Sequence, residues 1–463
     1  MSYELIESNK GHNLIVQYDY VYRKKSSYGT TSYWTCETKL CKVRGKLHDG
    51  KFTINSDHIH EPDKAKVIQR HQHNIIKEKV IENPTETGLN IYTSSTQSLR
   101  DKLNTSDDQI ASAIKPFISV QPTISRSKLS MVPKLPASRE EINLPNDMKV
   151  LPNGQNFLIA DEGEGDRILV FGSFKSFQRL AEADNIYMDG TFKSCPKLFY
   201  QIYTIHVMIN KLMVPVIYCL LPDKRNRTYE RLFEIIENYA NYHGIIFKPK
   251  TFSIDFEIAV ISTIKKKYPE AQITGCMFHF AQCIRRKVGN LGLTNRCQQR
   301  DDNRYTKTIK RLQSLPLIKY QDLAEVFEIV VAEAPEDNEM DALLEYFYDN
   351  FFKDAARFPN DIWNHSSNNG PRTTNHIEGW HNLLNNSIKV AHPNLWIFIK
   401  KIMSQNIYQE TKLATHLSGQ PVLKRNKKRE AIEKRFDDLK NQYNSNEITA
   451  IRYLDLIKYV KLS

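Results

Sequence analysis

The chain has 463 residues, 40% hydrophobic and 25% charged, an ordinary globular composition with room for about three domains. Lys plus Arg number 65 against 53 Asp plus Glu, and this net charge of +12 admits a polyanion such as DNA without requiring one. Seven cysteines, an odd count, and an N-terminus without a charged start and apolar run argue against a disulfide framework and a signal peptide.

Four regions differ in texture along the chain. Residues 1–66 are strand-like and rich in Tyr and Lys. Residues 67–150 carry a basic helical stretch, KAKVIQRHQHNIIKEKVIEN, which starts just before that boundary, and then polar segments with the Pro and Ser density of a linker. Residues 151–400 hold the main alternating pattern, with a helical stretch at about 290–370, and residues 401–463 read as basic helix.

In the first region, YWTCETKLCKV followed by DHIHEP offers Cys36, Cys41, His58 and His60. Two Cys and two His are the tetrahedral set of a structural zinc, and a segment too small for a large core gains stability from one. The alternative is two ordinary cysteines and two surface histidines. The Lys-Gly opening, the aromatic strand around Tyr18, Tyr20 and Tyr22, the Trp34-x-Cys36 pair, Cys41 and the closing His58-x-His60 resemble the FLYWCH zinc finger. That resemblance implies bound Zn²⁺ and a DNA- or protein-binding role.

The third region opens with a strand at IYMDGTF, carrying Asp189 near its end. By itself Asp189-Gly190 is a common turn pair. The longest apolar region, LFYQIYTIHVMINKLMVPVIYCLLP, is broken by Asn210 and Lys211, so it reads as two strands and a hairpin turn, not a membrane span. Cys195 and Cys219 are assigned to strands and the core. A helix, TYERLFEIIENYANYHG, ends on Gly244 as C-cap. Then come a strand TFSIDFE, a helix IAVISTIKKKYP, a strand QITGCMFH and a helix FAQCIRRKVG. Three strands in a meander followed by αβαβα is the order of an α/β, ribonuclease-H-like fold, in which the later strands run parallel to the first.

In that fold the first and fourth strands are neighbours, so Asp189 and Asp255 would sit side by side at one sheet end. Two adjacent carboxylates repel unless divalent cations lie between them. Such a pair is half of a two-metal phosphoryl-transfer site, and Mg²⁺ suits carboxylate ligands. A third carboxylate is expected in RTTNHIEGWHNLLNNSI, where Leu383, Leu384 and Ile388 fit an apolar helix face and Glu378 and His381 lie three apart. Without the aspartates, Glu378 reads as a helix-start glutamate.

Several blocks in the same order resemble the MULE (Mutator-like element) transposase domain, a DDE transposase family: MDGTFKSCPKLFYQIYTIH, VPVIYCLLPDKRNRTYERLF, FSIDFEIAVISTIKKKYP, GCMFHFAQCIRRKV and TTNHIEGWHNLLN. The resemblance implies Asp189, Asp255 and Glu378 as metal-binding catalytic residues, Mg²⁺ or Mn²⁺ as cofactor, and a recurring Cys276/His279 pair. Taken alone, Cys276 and His279 read as core residues, and Cys283, one helical turn beyond His279, offers another pairing. The expected function is strand cleavage and transfer on double-stranded DNA by a soluble nuclear protein, with a homo-oligomer for paired-end cutting. The alternatives are a domesticated, catalytically inactive DNA-binding regulator, or a protein-interaction module built on the finger. The basic run Lys424–Arg429 reads as a solvated helix face, a phosphate contact or a nuclear-import signal.

Overall fold

The computed structural model describes residues 3–8, 11–83, 86–103, 107–130, 133–298, 303–368, 375–388, 390–419 and 427–458. It is a mixed α/β chain that divides into two compact units, Met1–Lys134 and Leu135–Ser463. Of the basic run, residues 424–426 and the side chains of 427–429 lie outside the described residues, as do residues 372–374 ahead of the Glu378 helix. No helix among the described residues is long and apolar enough to cross a membrane.

The first unit begins with an antiparallel meander in sequential order: β1 (Glu4–Glu7), β2 (Asn13–Gln17), β3 (Tyr20–Tyr28), β4 (Thr31–Cys36), β5 (Arg44–His48) and β6 (Lys51–Ile54). Its β2–β3 hairpin turns at Tyr18 and Asp19, both at positive φ. Asp49 and Gly50 join β5 to β6 with φ of 47° and 74°. Ile15, Tyr22, Trp34, Cys36, Cys41, Val43 and Phe52 form a small core. Gly45 is required there, because a Cβ would fall 2.1 Å from the Phe52 ring. Four helices follow: α1 (Lys64–Glu82), α2 (Gly88–Leu103), α3 (Asp107–Ala113) and α4 (Phe117–Ser130). Asp63 caps α1 by accepting from the Lys66 N–H. The basic stretch read as helical is thus α1, and it lies in the same unit as the strands.

Among the described residues, the second unit is built on seven strands. β7 (Leu158–Glu162), β8 (Ile168–Phe171) and α5 (Phe174–Glu182) come first. β9 (Asn185–Thr191), β10 (Gln201–Ile209), β11 (Leu212–Leu221), α6 (Asn226–Tyr242), β12 (Thr251–Ile254), α7 (Ile258–Lys267), β13 (Gln272–Gly275) and α8 (Met277–Asn290) follow. The sheet order is β13-β12-β9-β10-β11-β8-β7, with β12 and β13 parallel to β9 and the other pairings antiparallel. The β10–β11 hairpin turns at Asn210 and Lys211, both left-handed, and Gly244 at φ 66° follows α6. Helical crossovers after β11 and β12 bury Leu232, Phe233, Ile236, Val260 and Ile264 against the sheet core.

The helical stretch then holds α9 (Leu293–Arg296), α10 (Arg304–Ser314), α11 (Leu323–Ala332), α12 (Asn338–Phe347) and α13 (Asn360–Trp363). Next come α14 (Asn375–Ile388), α15 (Leu395–Leu417), α16 (Lys427–Asn444) and α17 (Ala450–Ile457). The border drawn at residue 400 falls inside α15.

Three local assignments are corrected. QITGCMFH is a strand only to Gly275: Cys276 is the N-cap of α8 and His279 lies in its first turn. The helix wins because Met277, Phe280, Ile284 and Val288 recur at helical spacing and are all buried. The second strand starts at Gln201, since Phe199 closes a turn onto the Pro196 carbonyl at 2.9 Å. Cys195 is accordingly in the turn region before β10, though as fully buried as Cys219. On α14, Leu383 is 59% exposed; the buried stripe is Ile377, Trp380, His381 and Leu384.

Candidate functional site

The strand register brings Asp189 and Asp255 together. β9 and β12 pair in parallel as Asn185 with Thr251, Ile186 with Phe252 and Tyr187 with Ser253. Continued two residues, the same register sets Asp255, just past its strand end, level with Asp189. Asp189 is 5% exposed and lies in a strand flanked by buried Tyr187 and Met188. Its Oδ1 accepts from the Gly190 N–H at 2.8 Å, and its Oδ2 lies 3.5 Å from His381 Nδ1.

α14 supplies the rest. Ile377, Trp380 and Leu384 bury one face of the helix, which carries Glu378 and His381 inward with it. His381 Nε2 stands 3.1 Å from Thr204 Oγ1, and Thr204 Oγ1 stands 3.0 Å from His206 Nε2. Thr204 lies directly across from Asp189 in the β9–β10 pair. Glu378 Oε1 stands 3.8 Å from His279 Nε2. The α8 turn and α14 therefore meet over the ends of β9 and β12.

The electrostatics show three carboxyls in one neighbourhood. Burial, then the charges of Asp189 and Glu257, pushes the Asp255 carboxyl up to about 7, with Lys224 opposing. Burial and Asp189 also raise Glu378. Burial holds His279 below its usual range and His206 well below it. Asp255 Oδ1 is buried and finds no hydrogen-bond partner among the described residues, and Tyr203 Oη and His279 Nδ1 share that condition. An unpartnered buried carboxylate oxygen beside further carboxyls is the oxygen-donor set that a hard divalent cation fits. The three carboxyls are neighbours without being a single tight cage. Among the described residues, the only group of three or more His, Cys, Asp or Glu ligand atoms all within 4.8 Å of one another lies elsewhere, in the N-terminal unit. Carboxylates that flank two ions about 3.5–4 Å apart need not all be that close to one another.

That tighter group is Cys36, Cys41, His58 and His60. Cys36 Sγ is 3.3 Å from His60 Nε2, Cys41 Sγ is 3.4 Å from His58 Nδ1, and the two ring nitrogens are 3.3 Å apart. Tetrahedral bonds of zinc length give edges of about 3.3–3.4 Å between two nitrogens and about 3.5–3.6 Å between nitrogen and sulfur, so these separations lie within about 0.2 Å of them. Each ring's other nitrogen is already engaged: His60 Nδ1 at 2.8 Å from the Glu61 carbonyl, His58 Nε2 at 2.7 Å from Tyr22 Oη. Tyr20 stacks flat on His58 at 3.7 Å. These partners fix both rings with one nitrogen toward the centre, as outer contacts of metal-binding histidines do. Cys36 ends β4, Cys41 follows a turn closed on Thr38, and the two histidines follow β6. The four can hold a metal ion.

Sequence reasoning grouped Cys276 with His279, but the structure gives them different surroundings. His279 faces Glu378, whereas Cys276 caps α8 and donates its N–H to the Ile254 carbonyl at 2.8 Å. It missed Thr204 and His206, although two polar residues on one face of an otherwise apolar strand were the signal. It also missed Glu257, which accepts from Tyr229 Oη at 2.6 Å and Lys224 Nζ at 2.8 Å beside Asp255.

Residues 185–283 match the MULE transposase domain family. The match runs from β9 into α8, so it includes Asp189, Asp255, Cys276 and His279 and stops before Glu378. It supports a transposase-like function for this unit. No curated protein matches the chain.

Proposed function

We propose that the chain is a MULE-type DDE transposase whose ribonuclease-H-like core cuts and joins double-stranded DNA. The observation that carries the reading is the β9–β12 register, which sets Asp255 level with Asp189 inside the segment matching the MULE transposase domain. The strand order β11-β10-β9-β12-β13, three antiparallel and then two parallel, supports the ribonuclease-H-like assignment. Asp189, Asp255 and Glu378 would hold Mg²⁺ or Mn²⁺. Divalent cations at such a site supply an activated water or 3′-hydroxyl and a stabilised leaving oxygen. The chain's own work is positional: Gly190 N–H and His381 orient the two oxygens of Asp189, while Thr204 ties His381 to the sheet. His279 stands over Glu378.

In the same reading Cys36, Cys41, His58 and His60 hold structural Zn²⁺ in a FLYWCH-type finger, which with the basic α1 contacts DNA. The division proposed with it is a finger segment 1–66, a basic helical segment and linker 67–150, the core 151–400 and the tail 401–463. The protein acts in the nucleus, as a homo-oligomer where two DNA ends are cut. Tyr22→Phe removes the outer contact of His58 and is expected to weaken zinc affinity about ten-fold or more, read by competition with a chromophoric chelator. The function itself is tested by nicking of duplex DNA. Product is expected only with Mg²⁺ or Mn²⁺, and it is lost in Asp189→Ala and Glu378→Ala. DNA affinity falls as salt rises. Nicking that survives in both variants, or its absence with either ion across duplexes of varied end structure, overturns the reading.

A further inference from the structure

The loop between β9 and β10 is pinned from beneath and decorated above. Its sequence, FKSCPKLFY, buries Ser194, Cys195, Pro196 and Phe199. Ser194 Oγ bonds Asn385 on α14, His392 Nδ1 meets the Cys195 carbonyl at 3.0 Å, and Arg139 donates to the Leu198 carbonyl at 2.8 Å. The Tyr200 N–H reaches the Leu221 carbonyl at 2.9 Å. The residues left exposed are two aromatics and two lysines: Phe192 at 43%, Tyr200 at 54%, with Lys193 and Lys197. No carboxylate lies in the loop. The two rings meet edge to face at 5.6 Å, and Lys224 Nζ stands 4.6 Å over Phe192.

Position gives this surface its meaning. Phe192 is three residues beyond Asp189. Lys224 bonds Glu257, which is two residues beyond Asp255. The end of β9, the start of β10, and the ends of β11 and β12 all lie at one end of the sheet. Single exposed aromatics need no explanation. A rigid loop that presents two rings among three ammonium groups, beside the carboxylates, is a different case. Lysines alone would serve a paired backbone, where every base is already stacked. Exposed ring faces gain only from a base that is free to stack on them.

We propose that the Phe192–Tyr200 loop, with Lys224, binds an unpaired nucleotide of the DNA strand that enters the carboxylate site. Tyr200 and Phe192 take the base; Lys193, Lys197 and Lys224 take its phosphates. This rests on the DNA-handling function proposed above and adds the form of DNA held at the site.

The test uses the full chain without added Mg²⁺ or Mn²⁺, so that no strand is cut. Binding of a labelled oligothymidine strand and of a duplex of equal length is followed by fluorescence anisotropy. Tyr200→Ala and Phe192→Ala, both at exposed positions, are expected to weaken single-strand binding about ten-fold each. Duplex affinity should change less than two-fold, and Tyr200→Phe should bind like the wild type. Single-strand binding unchanged in both alanine variants, or equal losses on strand and duplex, overturns the stacking surface while leaving the DNA function standing. A wild-type chain that binds neither form overturns that function, and this proposal with it.

Discussion

Asp255→Asn is expected to give a chain that is more stable and unable to cut DNA. The amide keeps the shape of the side chain and removes the charge that burial, Asp189 and Glu257 oppose. The folded carboxyl titrates at about 7, against about 3.9 when unfolded. Below pH of about 4 both states are protonated and the site costs nothing. Between about 4 and 7 the folded chain keeps a proton that the unfolded chain has released, so stability falls as pH rises. Above about 7 the penalty is complete, on the order of 4 kcal/mol. Urea melts of the wild type from acid to neutral pH, without divalent ions, should show that decline, and Asp255→Asn should flatten it. Added Mg²⁺ should restore wild-type stability by binding the folded state and leave the variant unmoved. Nicking by the variant should fall about a thousand-fold or more, the scale of several kcal/mol of lost transition-state charge stabilisation. Equal slopes in both chains would mean that Asp255 is not a buried carboxylate repelled by its neighbours.

The placement of Asp255 level with Asp189 was legible because it depends on register, and register follows from pattern. The broken apolar region gave the β10–β11 hairpin, and Gly244 gave the end of α6. The alternation of strands and helices from Asn185 gave the parallel partner of β9, and with it the Asp189–Asp255 neighbourhood. The Cys36/Cys41/His58/His60 set was legible from local spacing, since both pairs lie within a few residues. Other features depend on groups far apart in sequence. α8 takes Cys276 as its cap because Met277, Phe280, Ile284 and Val288 pack as one face, and strand propensity in CMFH does not report that. Leu383 looked apolar and inward, but the face that docks is set by Ile377, Trp380 and Leu384. Thr204 and Glu257 acquire their places from His381, Tyr229 and Lys224, which approach from other elements, and Thr204 in turn holds His206. Nor did the pattern announce that β8 and β7 would extend the sheet beyond β11.

On the proposed zinc site, stripping the ion from Cys36, Cys41, His58 and His60 is expected to unfold the six-stranded meander of the N-terminal unit. The core cluster around Trp34 and Phe52 is small, and two of its buried members, Cys36 and Cys41, would themselves be the ligands. The segment bearing His58 and His60 follows the last strand and forms none of its own. What ties it back is the cluster, the Tyr20 ring on His58, Tyr22 Oη on His58 Nε2, and the Tyr20 hydroxyl donating to the His60 carbonyl at 3.0 Å. Without the ion, two thiols and two imidazoles 3.3–3.4 Å apart have little reason to remain together. Zinc binding in finger-type sites is worth about 10–16 kcal/mol at neutral pH, more than a small core supplies by itself. A zinc chelator should therefore abolish the meander's protection from amide hydrogen exchange across β2 to β5, and Cys36→Ser should reproduce that state without chelator. Core strands of the second unit, β9 to β11, bury a separate set of residues and should keep their protection in the same experiment. Protection of β2 to β5 that persists in both the stripped chain and Cys36→Ser would mean that the meander stands on its hydrophobic core alone, and that the four side chains meet for some reason other than a metal.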